Sequence, residues 1–532
     1  MNPLLLTDGY KTGHHKQYPE GTTLVYSNFT PRSNKYAPKG CDKVVSFGQQ
    51  YIMKFLHDTF QKDFFDRPKD EVCGEMKREL SMYLNSDYDV SHFESLHDLG
   101  YLPIGVKSLP EGTLVPIKVP VLTIKNTHPD FYWITNYLET IISNLLWKPM
   151  TSATIAFQYK KVLTEWAEKT NPEGKEFVLW QGHDFSMRGM DSVDAVISSG
   201  MGHLTSFFGS DSLPGIYGAR KYYGEKGFIA GSVNATEHSC MCAGGKEDEV
   251  GTFRRLLTDV YPSGILSVVS DTWDLWKVCT EHIVTLKEEI MARDGKLVIR
   301  PDSGDPVDIL CGHDNSSWIQ SNKATFDDNS VITNSHSPEK KGVIELLWDV
   351  FGGTINEQGY KVLDSHIGAI YGDSITIDRA NEICKRLEEK GFASTNVVLG
   401  VGSFTYQYNT RDTFGFAMKA TYVEVKEHFR TVKDENGNYT HSEGIVRGRE
   451  IFKDPITDDG TKKSATGLLR VVKGDDGYVL EDKTSWLGEK TGELKTIYKN
   501  GEFRNAITLS GIRESLANEI EKQIFSPSHE EA

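Results

Sequence analysis

The sequence has no apolar run approaching the ~18 residues needed to cross a bilayer. Its start, Met1-Asn2-Pro3-Leu4-Leu5-Leu6-Thr7-Asp8, lacks the basic flank and the longer apolar stretch of a secretory leader. These absences imply a soluble protein of the cytoplasm with no membrane partner. Positive charge is also scarce: 59 Lys and Arg face 75 Asp and Glu, a formal charge of −16. So acidic a surface excludes broad binding to nucleic acid or anionic lipid. It still permits an anionic small substrate, provided a few cations are gathered locally. Cysteine is sparse: Cys41, Cys73, Cys240, Cys242, Cys279, Cys311 and Cys384, with no CxxC pair and nothing that completes a zinc-type set. Reduced, structural cysteines are expected. GxGxxG, P-loop and HExxH patterns are missing, and there is no internal repeat.

What is present is a chain of 532 residues with 38% hydrophobic content, enough for roughly two to four domain-sized units. Residues 1–150 mix short strands and helices: Thr23–Phe29 and Pro116–Ile124 pattern as strands, Gly48–Phe60 and Tyr132–Leu146 as helices. Within residues 151–407 short apolar runs alternate with helical patterns. The expected strands are Phe177–Trp180, Gly227–Ala230, Gly264–Val269, Lys296–Ile299, Ile367–Tyr371 and Asn396–Gly400. The expected helices are Asp191–Phe207, Glu247–Tyr261, Thr272–Arg293, Val343–Phe351 and Ile377–Lys390. Such alternation argues for parallel pairing. Residues 408–532 are strand-rich, with Asn436-Gly437 as a hairpin signal and a final helix over Ser510–Phe525. Gly312–Lys341, rich in Asn, Ser, Asp and Lys, is a polar insertion.

Nearly every expected strand of the middle segment runs into chemically capable residues. They are His183–Arg188, Ser232–His238, Ser270-Asp271, Arg300–Pro306, Gly372-Asp373-Ser374 and Gly400–Ser403. An open doubly wound sheet gathers ligands at one switch point. Polar groups at six successive strand ends favour an α/β barrel, whose strand ends converge on one mouth.

Each motif has an ordinary reading beside the chemical one. Arg300-Pro301-Asp302-Ser303-Gly304 can hold a polyanion with a ribose or Mg²⁺, or it is a turn with an ion pair. His238 can act as acid, base or phosphoryl acceptor, or it is a hydrogen-bonded structural histidine. Asp271 can orient that imidazole, cap the next helix, or both. Gly372 and Gly402-Ser403 offer backbone amides suited to phosphate, but glycine is also the default turn residue. Phe185 and Tyr10 could be core aromatics, and Asp211 a loop residue.

In order along the chain, Thr7-Asp8-Gly9-Tyr10-Lys11, Val25–Phe29, His183-Asp184-Phe185-x-x-Arg188, Phe208-Gly209-Ser210-Asp211, Ala235–Ser239, Ser267–Asp271, Arg300–Gly304, Gly372-Asp373, Thr410-Arg411-Asp412 and Phe452–Pro455 together resemble the nicotinamide phosphoribosyltransferase family. The resemblance implies an irregular α/β barrel over 151–407, and an outer α+β domain made by 1–150 and a returning 408–532. It implies a homodimer with shared sites, condensing nicotinamide with phosphoribosyl pyrophosphate in NAD salvage. Mg²⁺ serves as cofactor, with Asp302 and Asp271 as candidate ligands, and ATP as co-substrate phosphorylating His238. By resemblance, Phe185 and Tyr10 of the partner subunit sandwich the pyridine ring, and Asp211 accepts the carboxamide. Arg188, His238 and Arg300 face pyrophosphate or phosphate; Asp302, Gly372, Asp373, Ser403 and Arg411 hold the 5′-phosphate side. Arg32, Lys419 and Lys453 are further candidate phosphate contacts, and His238, Asp271, Arg300 and Asp302 the catalytic set. The nearest rival is a nicotinate phosphoribosyltransferase; a non-enzymatic signalling protein on the same fold is the more remote one. Gly400-Val401-Gly402-Ser403 and the polar insertion depart from the family pattern.

Overall fold

The computed structural model describes residues 1–313, 337–372, 374–427, 432–433, 439–440, 445–453 and 465–525. The turn Asn436-Gly437, most of the polar insertion and Asp373 lie outside the described residues. The chain forms two compact units. One holds Met1–Thr154, Gly218–Lys226 and Asn409–Leu516; the other holds Ile155–Tyr217, Gly227–Tyr408 and the end of the chain from Ala517.

The second unit is built on six parallel strands: β1 Gly182–Asp184, β2 Asn234–Ala235, β3 Ser263–Val269, β4 Asp294–Arg300, β5 Ile367–Tyr371 and β6 Val397–Val401. Their order is β1-β6-β5-β4-β3-β2. Single bridges carry the pairing on from Asp184 to Ser210 and from Gly209 to Gly231, three residues before β2. The sheet thus curls into an irregular barrel wall. β5 is buried along its whole length, as expected of a parallel strand covered on both faces. The helix Ile377–Glu389 that follows it buries Ala380, Ile383, Cys384 and Leu387, the spacing of one helical stripe. Thr376 caps it by accepting from the Arg379 amide at 3.2 Å.

Four sequence expectations are corrected here. Phe177–Trp180 is not a strand: it closes a 3₁₀ turn and opens the short helix Val178–Gln181, and β1 begins at Gly182. Short apolar runs cannot be told apart by periodicity. Gly227–Ala230 is likewise irregular; the pairing residues are Gly231 and β2. The single helix expected over Thr272–Arg293 is broken into Leu275–Lys277, a π turn at Val278–His282, Ile283–Thr285 and Lys287–Ala292. Pro116–Ile124 is two strands, Leu114–Pro116 and Leu122–Asn126, because Pro116 and Pro120 have no amide to give to a ladder.

The first unit is an antiparallel sheet with helices. Across it run Ile445–Glu450, Ala417–Glu427, Thr22–Thr30, Leu122–Asn126, Ile104–Ser108, Lys495–Lys499 and Glu502–Phe503. Three N-terminal strands stand in the middle with two C-terminal strands on either side, so neither segment makes the sheet alone. Val432–Lys433 and Tyr439–Thr440 pair antiparallel on either side of the expected hairpin turn. Among the described residues no helix is long and apolar enough to cross a membrane. All seven cysteines are unpaired, and only Cys240 and Cys242 are exposed.

Candidate active site

His183 and Phe185 lie two apart at the end of β1, so their side chains share a face. Their rings stack at 4.6 Å with 28° between planes. The bridge from Asp184 to Ser210 brings the next residue, Asp211, alongside. Asp211 Oδ1 lies 3.0 Å from His183 Nε2 and also accepts from the Ser232 hydroxyl. Burial pushes the Asp211 carboxyl up, but the bonds from His183 and Ser232 and the charge of Arg300 outweigh it and hold the group below the usual carboxylate range. The result is a flat aromatic surface beside a fixed anion.

The other strand ends supply a phosphate-like corner. His238 begins the helix His238–Gly244 just after β2 and stays half exposed. Its Nδ1 lies 3.1 Å from Thr272 Oγ1, while Nε2 is 3.7 Å from Asp271 Oδ1 and 3.9 Å from Asp302 Oδ2. Asp271 is not a helix cap; that position is Asp274, whose side chain accepts from the Lys277 amide. Instead Asp271 Oδ2 takes the Asp302 amide at 3.0 Å and the Ser303 hydroxyl at 2.6 Å, pinning the loop after β4. Its Oδ1 is buried without a hydrogen-bond partner, as is Arg300 Nε. The Tyr371 hydroxyl donates to the Gly304 carbonyl at 2.8 Å. A side chain at Gly372 would place its Cβ 2.7 Å from Asp302 Oδ1, so glycine is what lets the β5 end approach the β4 loop. In the same way Gly189 packs directly on Ser403, which starts the turn after β6. Arg188, in the turn Met187–Gly189, is exposed beside that contact.

The first unit gathers cations of its own. Lys419 lies 3.8 Å from Glu139, and buried Lys11 reaches the same carboxylate at 2.8 Å. Burial lowers the Lys419 pKa; Glu139 opposes this, while Arg32, Lys453 and Lys11 add to it. Arg32 is depressed by burial and by Arg411, against Asp412. Crowded like charges of this kind are relieved by a bound anion. Tyr10 is 66% exposed in the turn Gly9–Gly13, with Lys11 Nζ 5.3 Å from its ring centre.

The model of the nicotinate phosphoribosyltransferase (NAPRTase) family matches residues 180–501, and that of the nicotinamide phosphoribosyltransferase N-terminal domain matches residues 2–95. A nicotinamide phosphoribosyltransferase of Acinetobacter baylyi is 48% identical, with 98% of each chain covered. One of Xanthomonas campestris pv. campestris is 30% identical over 96% of this chain and 97% of its own. The chain belongs to the nicotinate phosphoribosyltransferase family. The solved nicotinate-nucleotide pyrophosphorylase of Pyrococcus furiosus shares the fold, with a TM-score of 0.51 at 15% identity over 98% of this chain and 96% of the other.

For a member of this family the gathered groups fall into four sets. Phe185 and Asp211 form one; His238, Asp271, Arg300, Asp302 and Gly372 a second, with Arg300 near enough to act on Asp211. Arg188 and Ser403, at the β1 and β6 ends, form a third. In the first unit Arg32, Arg411, Lys419 and Lys453 form the fourth, with Tyr10 and Lys11 on the same unit. Sequence reasoning gave no role to His183, Ser232, Thr272 or Glu139. His183 had a signal in its spacing from Phe185; Glu139 had none. Among the described residues no group of three or more His, Cys, Asp or Glu is arranged to hold a metal. The Asp271–Asp302 pair, with its unpartnered buried oxygen, does suit a hard cation that completes its shell with phosphate and water.

Proposed function

We propose that this family member is a nicotinamide phosphoribosyltransferase acting in the cytoplasm in NAD salvage. It joins nicotinamide to 5-phosphoribosyl 1-pyrophosphate, giving nicotinamide mononucleotide and pyrophosphate. The observation that carries the choice of vitamin is the ionised Asp211 beside the Phe185 ring. A carboxylate accepts a carboxamide N–H and repels the like charge of nicotinate. The names of the two full-length relatives support the same substrate.

The chemistry breaks the C1–oxygen bond to pyrophosphate, which leaves with the electron pair, and forms a C1–nitrogen bond to the pyridine. No proton need move, because the neutral ring nitrogen becomes a pyridinium. Phe185 and the partner subunit's Tyr10 hold the ring in line with C1, and the aromatic faces attract the growing ring charge. Arg300 and Arg188 balance charge on the departing pyrophosphate, while Arg32, Arg411, Lys419 and Lys453 grip phosphate from the first unit. Asp271 and Asp302 would hold Mg²⁺, whose charge would offset that of the leaving group. His238, half exposed and facing two carboxylates, is the acceptor of the γ-phosphoryl of ATP, a P–N bond forming as the bond to ADP breaks. The working form is a homodimer.

Incubation with phosphoribosyl pyrophosphate and Mg²⁺, with nicotinamide or nicotinate and with or without ATP, tests the whole reading. Nicotinamide mononucleotide should form preferentially, and ATP should accelerate wild type but not His238→Ala. Preferred turnover of nicotinate would overturn the substrate choice; undiminished ATP stimulation in His238→Ala would remove its phosphorylation.

A further inference from the structure

A second cationic cavity lies on the sheet of the first unit, and none of its wall residues is given a role above. It has a volume of about 230 Å³, and Lys107, Lys125, Lys490 and Lys499 are in its wall with Glu489. In a chain of net charge −16, four ammonium groups around one carboxylate are a marked local reversal.

The sheet register explains how the cavity is built. One row across the strands runs Tyr422, Tyr26, Lys125, Gly105, Lys499. Side chains in one such row stand on the same face. Gly105 therefore leaves a gap of one side chain between two lysines. The next row on that face places Lys107 between Thr123 and Thr496. The helix Trp486–Thr491 covers the row. Trp486 sets its ring edge-on to Tyr26 and Tyr422, and Lys125 Nζ lies 4.1 Å from the Trp486 ring centre. Glu489, only 3% exposed, pairs with Lys107 at 2.7 Å. That pairs the carboxylate in the wall with one cation of the four, and Lys125, Lys490 and Lys499 make no ion pair with it. The Tyr26 side chain, also in the wall, is buried, with its hydroxyl towards Thr123 and the Leu469 backbone. Burial depresses Lys125; Glu489 opposes this, and Lys107 and Lys490 reinforce it. Glu424, which accepts from the Trp486 indole at 2.9 Å, also opposes it, and the four lysines still outnumber the two carboxylates.

We propose that the cavity over Gly105 is a binding site for a small dianionic phosphate, separate from the site of phosphoribosyl transfer. The phosphate sits in the glycine gap between Lys125 and Lys499, with Lys490 closing over it. Its oxygens draw Lys125 away from Trp486, so that indole reports occupancy.

The test is a titration of the full chain with inorganic phosphate at constant ionic strength, read by tryptophan fluorescence, with Trp486→Phe subtracting the other eight tryptophans. A saturable, Trp486-dependent change is expected in wild type. It should weaken at least tenfold in Lys499→Ala, whose exposed position spares folding, and in the Lys125→Ala/Lys499→Ala pair. It should vanish in Gly105→Glu, which fills the gap with a carboxylate; a Cβ there meets nothing closer than Thr127 Cγ2 at 3.5 Å. No saturable Trp486 signal, or equal affinity in wild type and all three variants, would overturn the proposal. Since the probe needs no turnover, either result is independent of which vitamin the enzyme uses.

Discussion

At the scale of single residues, selectivity between two vitamins of nearly the same shape rests on one charge. Asp211 was a candidate only through the family resemblance, since the sequence around it reads as a loop, and its ionisation was not legible at all. That depends on His183, 28 positions earlier, and Ser232, 21 positions later, which only folding brings to it. Replacing Asp211 by Asn keeps the shape and removes the charge. The kcat/KM ratio for nicotinamide over nicotinate should then fall on the order of a hundredfold, since placing like charges together costs several kcal/mol. An unchanged ratio in steady-state assays with both substrates would show that Asp211 has no part in the choice. His183→Asn, which keeps a donor near Asp211 but loses the ring beneath Phe185, should raise the KM for nicotinamide more than it lowers kcat.

At the scale of elements, periodicity identified those held mostly by their own burial pattern. β3 to β6 and the helix Ile377–Glu389 fall where the alternation and the apolar stripe put them. It failed where a neighbour decides, as at Phe177–Trp180, where the chain turns helical before the three residues of β1 pair with β6. The N-terminal turns show the same dependence. His15 and His92 stack at 3.9 Å with 12° between planes, an arrangement that like-charge repulsion opposes once both rings are protonated. Both His92 ring nitrogens are buried without partners. Burial, with some help from His15 and Lys16 against Asp89, lowers its pKa from 6.5 to about 3. The unfolded chain therefore takes up this proton first on acidification. The stability involved is intact above pH 6.5 and drains away as pH falls through the window down to about 3. His92→Phe, which keeps a flat apolar ring on His15, should lose less Tm than wild type between about pH 7 and about pH 4. Parallel losses in thermal melts of the two proteins would assign the acid sensitivity elsewhere.

At the scale of the whole molecule, pattern alone could suggest a barrel because each strand end announces itself within a few residues. It could not reveal the sheet of the first unit, whose central pairing joins Val25 to Val423. No local signal encodes a partner some 400 positions away, and that part was legible only through resemblance. A long stretch of sequence also separates the two aromatic rings assigned to nicotinamide. Phe185 belongs to the barrel unit and Tyr10, largely exposed, to the other. If each site of a twofold dimer takes Phe185 from one subunit and Tyr10 from its partner, Tyr10→Ala and Phe185→Ala should each be inactive as pure proteins. After subunit exchange of an equal mixture, half the dimers are mixed, and each mixed dimer holds one intact and one doubly damaged site. Activity should therefore return to roughly a quarter of wild type. A site drawn wholly from one chain would leave the mixture as inactive as its components, even with exchange verified by native mass spectrometry.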